Sequence, residues 1–312
     1  MKGMIKDKLK KLTEIETKKM IIYPLAVFFV SLLILAVHFP QLGIDLRGGV
    51  VVTAYGVDAN SDEIAKYLAQ QLNIDVRVEK FTGIGKESSG INVYAPADAD
   101  PEKIREVLKQ RFPDAKYAIS EVRPTFGAMA REQGIKAISL AFLGMAVVVF
   151  LFFRVPVPSF TVIFSAFSDM VIALALMSIF GIELSQATIA ALLMLIGYSV
   201  DSNILLTTKL LKRKEDTIEE AYFSAVSTGF TMSTTTLGAL ASLWLFSTAK
   251  VIDEIAIVLI FGLLADFMNT WILNAGVLRW FIAKKEEREK SKAPKKAPTT
   301  SKTPKKRKGG RK

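Results

Sequence analysis

The sequence predicts an α-helical membrane protein: six transmembrane helices, with a small α+β ferredoxin-like exterior domain inserted between helices 1 and 2. Three observations predict this. Apolar residues make up 51% of the 312, and they fall in blocks of spanning length instead of being scattered. Lys and Arg gather in alternate loops between those blocks. One stretch, residues 40–133, breaks the blocks with short strand and helix patterns.

A spanning helix needs about 20 apolar residues. Candidate blocks cover residues 21–39, 134–153, 159–180, 186–208, 228–248 and 252–282. The first follows a basic stretch, as a signal peptide would. Its apolar run is too long for a signal core, and AVHFPQ is a poor small-residue cleavage site, so it reads as a membrane anchor. Basic residues set the orientation. Residues 1–20 hold seven lysines; Arg154 follows block two; Lys209, Lys212, Arg213 and Lys214 follow block four; the tail after block six is strongly basic. With six spans, all four segments lie on one side. Both termini are then cytoplasmic, and residues 40–133 lie outside the cell membrane. In the N-terminal segment Ile5, Leu9, Leu12 and Ile15 recur at helical spacing among lysines. It reads either as an amphipathic helix on an anionic leaflet or as a solvated basic flank.

The exterior stretch reads β-α-β-β-α-β. VVVTAYGV (50–57) is β-branched. SDEIAKYLAQQL (61–72) opens with a Ser cap and acidic residues in its first turn. NIDVRVEKF (73–81) alternates with period two, and GINVYAP (90–96) follows a Gly-containing turn. DPEKIREVLKQRF (100–112) places Asp then Pro at a helix start, with Ile104, Val107 and Leu108 on one face. AKYAISEVRP (115–124) is the last strand. This order predicts a split βαβ unit of the ferredoxin type.

Charge is uneven. The formal net charge of +11 resides in residues 283–312, while the rest of the chain sums to zero. That tail is rich in Lys, Pro, Ser and Thr, has little to bury, and reads as disordered. It is placed to touch anionic lipid or a ribosome. A nucleic-acid-binding fold would carry its basic patch on a folded surface. With no cysteine and one histidine, His38 at the end of the first block, Cys or His metal and nucleophile sites are excluded. No nucleophile elbow or phosphate loop is present. GIDLRGG (43–49) lacks the GK[ST] ending and precedes a strand. Neither an enzyme nor a cofactor is expected.

Ionisable residues inside spans are costly and mark functional sites by default. Block three holds Asp169, one turn after Ser165. Block four holds Asp201, with Ser202 and Asn203 beside it and Tyr198 three residues before. Block six holds Asp266, followed at i+3 and i+4 by Asn269 and Thr270. No Lys or Arg lies at these helix centres. The carboxyls are then protonated, hydrated or paired with another subunit, in a transport path or in helix packing. Block five, STGFTMSTTTLGALAS (227–242), fits close helix packing or a polar lining.

Several stretches are similar to one family. PQLGIDLRGGVVV (40–52) resembles the motif that opens the exterior domain in the SecD/SecF protein-export family, on its SecF side and in its archaeal branch. FSDMVIALALMSIFGIELSQATIAALLMLIGYSVDSNIL (167–205) resembles the family's third and fourth spans. STTTLGAL (233–240) and DEIAIVLIFGLLADFMNT (253–270) resemble its fifth and sixth. The resemblance implies a multi-pass accessory subunit of the Sec translocon within the resistance-nodulation-division superfamily. Implied partners are SecD, a SecY/SecE-type protein-conducting channel and unfolded secretory polypeptide, with proton or sodium flow as the drive. Other classes are a small-molecule or lipid exporter half and a non-energised scaffold.

The family motif at the domain start maps to Gly43, Asp45, Arg47, Gly48 and Gly49. The ion-relay candidates are Asp169, Asp201, Ser202, Asn203, Asp266 and Asn269. Where bacterial relatives read Ser-Val-Asn-Asp, this chain reads Ser-Val-Asp-Ser, so Ser202 occupies the usual acidic place. Thr228 falls about where their fifth span carries arginine. One residue turns a helix by about 100°, so the resemblance implies a changed facing for the carboxylate.

Overall fold

The structure is a computed structural model that describes residues 17–81, 89–212, 217–247 and 249–292. The amphipathic N-terminal pattern, Arg213, Lys214 and the tail beyond residue 292 lie outside the described residues.

Helix α1 (Thr17–Val37) leads to a short helix α2 (Ile44–Arg47) and then to an α/β unit. That unit runs β1 (Gly49–Tyr55), α3 (Ser61–Leu72), β2 (Arg77–Phe81), β3 (Gly90–Ala95), α4 (Pro101–Arg111) and β4 (Lys116–Val122). Its sheet is antiparallel throughout, in the order β2-β3-β1-β4. The pattern of alternation decides the faces. Val50, Val52, Ala54, Ile91 and Val93 turn inward and meet Ile64 and Leu68 of α3 and Ile104 and Leu108 of α4. Arg77, Glu79, Asn92 and Tyr94 occupy the opposite face, away from the two helices.

Two expected details change. The cap of α3 is Asn60, whose side chain accepts the Asp62 N–H at 2.9 Å; Ser61 is the first helical residue. The strand expected from residue 73 begins at Arg77. Asn73 has a φ of 50° and closes α3 in the left-handed conformation, which Asn tolerates better than most residues. By contrast Asp100 caps α4 with Pro101 in the first turn, as the residues predict.

The remaining chain is helical: α5 (Pro124–Phe153), α6 (Pro156–Phe180), α7 (Gln186–Leu211), α8 (Ile218–Phe246), α9 (Lys250–Met268), a π-helical segment (Asn269–Asn274) and α10 (Ala275–Lys292). Among the described residues, four helices are long and apolar enough to cross a membrane: α1, α5, α6 and α7. Helices α8 and α9 are also long, 29 and 19 residues. Helix α8 carries a run of Ser and Thr, and α9 carries four charged residues, Lys250, Asp253, Glu254 and Asp266.

Helices α5 and α8 begin before the apolar blocks because their N-terminal stretches carry polar residues, Arg131, Glu132 and Gln133 in α5 and Glu219 and Glu220 in α8. Helix α5 starts at Pro124, well before residue 134, with Pro in its first turn. Helix α8 starts at Ile218, capped by Thr217, whose Oγ1 accepts the Glu220 N–H at 3.2 Å. Helix α10 continues to Lys292, so the first ten residues of the expected disordered tail are helical.

Helices α6, α7 and α9 pack on one another at the centre, with α1, α5 and α8 around them. The sheet unit is fastened to one end. Leu42 bridges Leu184 in the α6–α7 turn, with Gly43 N donating to Leu184 O at 2.8 Å and Leu184 N to Gln41 O at 2.7 Å. His38 Nδ1 lies 2.6 Å from Ser178 Oγ, tying the end of α1 to the end of α6.

Candidate functional site

The centre of the bundle holds a polar cluster within apolar packing. Asp169 on α6 and Asp266 on α9 are 0% and 1% exposed. Ser199 Oγ donates to Asp169 Oδ2 at 2.6 Å, and Asn269 Nδ2 donates to Asp169 Oδ1 at 2.7 Å. Ser202 Oγ approaches both oxygens of Asp266, at 2.9 and 2.8 Å, and Thr270 Oγ1 donates to Oδ1 at 2.7 Å. The two carboxyl groups are reached from one face of α7, by Ser199 and Ser202 one turn apart. Their partners are hydroxyls and an amide, and no Lys or Arg lies at the centres of α6, α7 or α9.

Local structure builds this cluster. Ser199, Ser202 and Asn203 stand at i, i+3 and i+4 on α7, so one face carries all three. Gly262 lies one turn before Asp266 and packs against Leu195, one turn before Ser199; a Cβ on Gly262 would collide with the Leu195 side chain. The missing side chain lets α9 approach α7 closely enough for Asp266 to meet Ser202. Three residues after Asp266 the helix widens into its π segment, a form that concentrates at functional sites. The widened turn aims Asn269, Thr270 and Asn274 inward, all fully buried. Tyr222 of α8 donates to the Trp271 carbonyl at 2.6 Å, satisfying a backbone acceptor in that segment. A second branch continues from the cluster: Asn274 Nδ2 donates to Asn203 Oδ1 at 2.6 Å, and Asn203 Nδ2 to Ser199 O at 2.8 Å.

Asp201 is not in this cluster. Residues 201–203 split: Ser202 and Asn203 face inward, while Asp201 lies on the exposed side of α7. Tyr198 shares that side and is 39% exposed. Thr228, Thr231 and Thr235 of neighbouring α8 are also exposed, each hydroxyl returning to the carbonyl one turn back.

The GIDLRGG residues form a clip at the junction of sheet and bundle. The Asp45 carboxylate accepts the Gln186 N–H in the first turn of α7. Gly48 has a φ of 81°, and a Cβ there would lie 2.7 Å from Pro124 Cα; only glycine lets the chain turn against the start of α5. Gly43 and Gly49 are buried, whereas Arg47 is exposed. The cluster also draws in Ser168, Ser199 and Asn274, which sequence reasoning did not single out. The i, i+3, i+4 spacing on α7 was the available signal for Ser199. Nothing local marks Ser168 or Asn274.

Comparison with known proteins agrees with this architecture. Residues 103–284 match the family model described as protein export membrane protein SecD/SecF, C-terminal. The chain is 66% identical over 293 residues to the protein-export membrane protein SecF of Pyrococcus furiosus, covering 92% of this chain and 98% of that one. It is 38% identical over 276 residues to SecF of Methanocaldococcus jannaschii, covering 85% and 95%. Among solved structures, the crystal structure of SecDF, a translocon-associated membrane protein from Thermus thermophilus, shares the fold with a TM-score of 0.69 at 18% identity. That match covers 85% of this chain and 38% of the SecDF chain. By its sequence similarity along nearly its whole length, this chain belongs to the SecD/SecF family of protein-export membrane proteins.

Proposed function

We propose that this chain is the accessory subunit of the Sec protein-export machinery that works beside a SecD partner, and that a monovalent cation gradient drives it. Its relatives' role in protein export supports the first part. One observation carries the second: two buried carboxyls, Asp169 and Asp266, sit together in an apolar bundle with only hydroxyl and amide partners. Among the described residues, ionised carboxylates there have no fixed counter-charge, so a proton or a cation supplies it.

In this reading α8 and α9 join α1, α5, α6 and α7 as six membrane spans. The basic segments place both termini in the cytoplasm. The sheet unit is a ferredoxin-like domain, within residues 40–133, on the outer side, where it meets the emerging unfolded polypeptide. Its strand order and its two helices on one face support that assignment. The exposed side of α7, with Asp201 and Tyr198, faces the SecD partner's helices, because a carboxylate exposed to hydrocarbon is costly and a protein neighbour supplies hydrogen bonds or charge. The SecY/SecE-type channel completes the assembly, and the basic tail touches anionic lipid or the ribosome.

The test is export of a secreted reporter by proteoliposomes holding the channel, the SecD partner and this chain, with an imposed proton or sodium gradient. Gradient stimulation that is lost in Asp169→Asn and Asp266→Asn supports the reading. Equal export with and without a gradient in wild type makes the subunit a non-energised scaffold.

A further inference from the structure

One corner of the sheet touches the bundle through an ionic network that the export reading leaves unused. Arg77 and Glu79 of β2 and Tyr94 of β3 share the sheet face opposite the helix-covered core. Lys250, the first residue of α9, pairs with the Glu79 carboxylate, and its Nζ lies 2.9 Å from Tyr94 Oη and over the Tyr94 ring. Arg77 pairs with Glu79 at 2.5 Å on one nitrogen and with Glu183 of the α6–α7 turn on the other. Glu254, one turn along α9, lies 3.8 Å from Lys250 and accepts from Ser185 Oγ, the cap of α7, at 3.1 Å.

A single exposed ion pair contributes little, about 0–1 kcal/mol. This network differs in two ways. Its three carboxylates are mostly covered, with side-chain exposures of 24%, 14% and 18% for Glu79, Glu183 and Glu254. Its members come from three stretches distant in sequence, residues 77–94, 183–185 and 250–254, so it holds bodies together instead of decorating one surface. The contacted helices matter as much. Helix α9 carries Lys250 at its start and Asp266 in the polar cluster, about 24 Å further along at the α-helical rise. Helix α7 carries Ser185 at its cap and Ser199 and Ser202 in the same cluster. A rigid helix that shifts at Asp266 moves Lys250 with it.

We infer that Lys250 is a positioning residue that seats the sheet domain on α9 and α7, through Glu79, Tyr94 and Arg77, and that export requires this seating. The consequence for export rests on the function proposed above; the seating itself does not.

The chain has no native cysteine, so nitroxide pairs can be placed at will. Labels at Gln110→Cys on α4 and Phe246→Cys at the end of α8 report the distance between domain and bundle in the full chain in liposomes, with no gradient imposed. Wild type should give one narrow distance. Lys250→Gln and Glu79→Gln should broaden it or displace it by several ångströms. The conservative Lys250→Arg, which keeps the cation beside Glu79 and Tyr94, should preserve it, and unchanged helix content in Lys250→Gln controls for misfolding. Export should fall severalfold in Lys250→Gln and Glu79→Gln and be retained in Lys250→Arg. An unchanged distance in Lys250→Gln overturns the seating. A changed distance with undiminished export overturns its role in export. Loss of gradient stimulation in wild type would strike the proposed function and leave the distance result standing.

Discussion

Ser202 Oγ lies 2.8 Å from Asp266 Oδ2, across the contact between α7 and α9. The hydroxyl of one helix thus meets an acid supplied by another. The acid next to Ser202 in sequence, Asp201, faces out of the bundle.

Replacing Ser202 by Ala should leave Asp266 with one hydroxyl partner, Thr270. Loss of a buried hydrogen bond to a carboxyl costs about 1–3 kcal/mol. The melting temperature of the purified protein in detergent should fall by several degrees, and Ser202→Thr should recover part of it. An unchanged melting temperature for Ser202→Ala would mean that the hydroxyl contributes nothing to the cluster.

The two sets of aspartates should separate by assay. Asp266→Asn and Asp169→Asn should abolish gradient-stimulated export while the SecD partner still co-purifies. Asp201→Leu should do the reverse at first order, lowering co-purification about tenfold, which corresponds to about 1.4 kcal/mol. Identical behaviour of all three variants in both assays would contradict the division of roles.

Gly262→Ala should push α9 away from α7, since the added methyl meets Leu195. Overpacking of this kind costs about 1–3 kcal/mol. Leu195→Ala in the same chain should restore part of the stability by making room. A thermal-unfolding cycle of the two single variants and the double variant measures this; strict additivity would rule out the contact as the cause.

The junction should be sensitive to acid. Burial pushes the Glu79 carboxyl up, but the hydrogen bond and charge of Lys250, with Arg77 beside it, hold it net below its ordinary value of 4.5. Arg77, Lys250, Tyr94, Glu183 and Glu254 are the other ionisable groups in the network. A depressed carboxyl contributes stability that is fully present above its unfolded value and is lost as pH falls through the folded one. The domain–bundle distance should therefore stay constant from pH 8 to about pH 5. It should loosen only on further acidification, and Glu79→Gln should remove that dependence. Loosening that begins near neutrality would assign the junction to other groups.

Much of this protein follows from local patterns. Apolar blocks separated by basic segments mark the helices, because an apolar run and a charged loop have opposite preferences for hydrocarbon. Period-two and helical spacing mark every element of the sheet unit to within a few residues. The exceptions have local causes: Asn73 adopts a left-handed turn and shortens the expected strand, and polar residues in their N-terminal stretches hide the starts of α5 and α8.

The sequence by itself also determined that aspartates would lie within long helices and that no basic residue would neutralise them at the helix centres. It could not rank them. Which of Asp201 and Ser202 faces inward depends on which sides of α7 are covered by α6 and α9, and adjacent residues differ by about 100° around a helix. The Gly262–Leu195 approach and the π turn after Asp266 complete that choice, and both arise only when the helices are packed. The pairing of Lys250 with Glu79, 171 residues apart, is likewise a product of tertiary structure alone. A charge carries no local signal of its partner, so only the assembled sheet and bundle decide where these two meet.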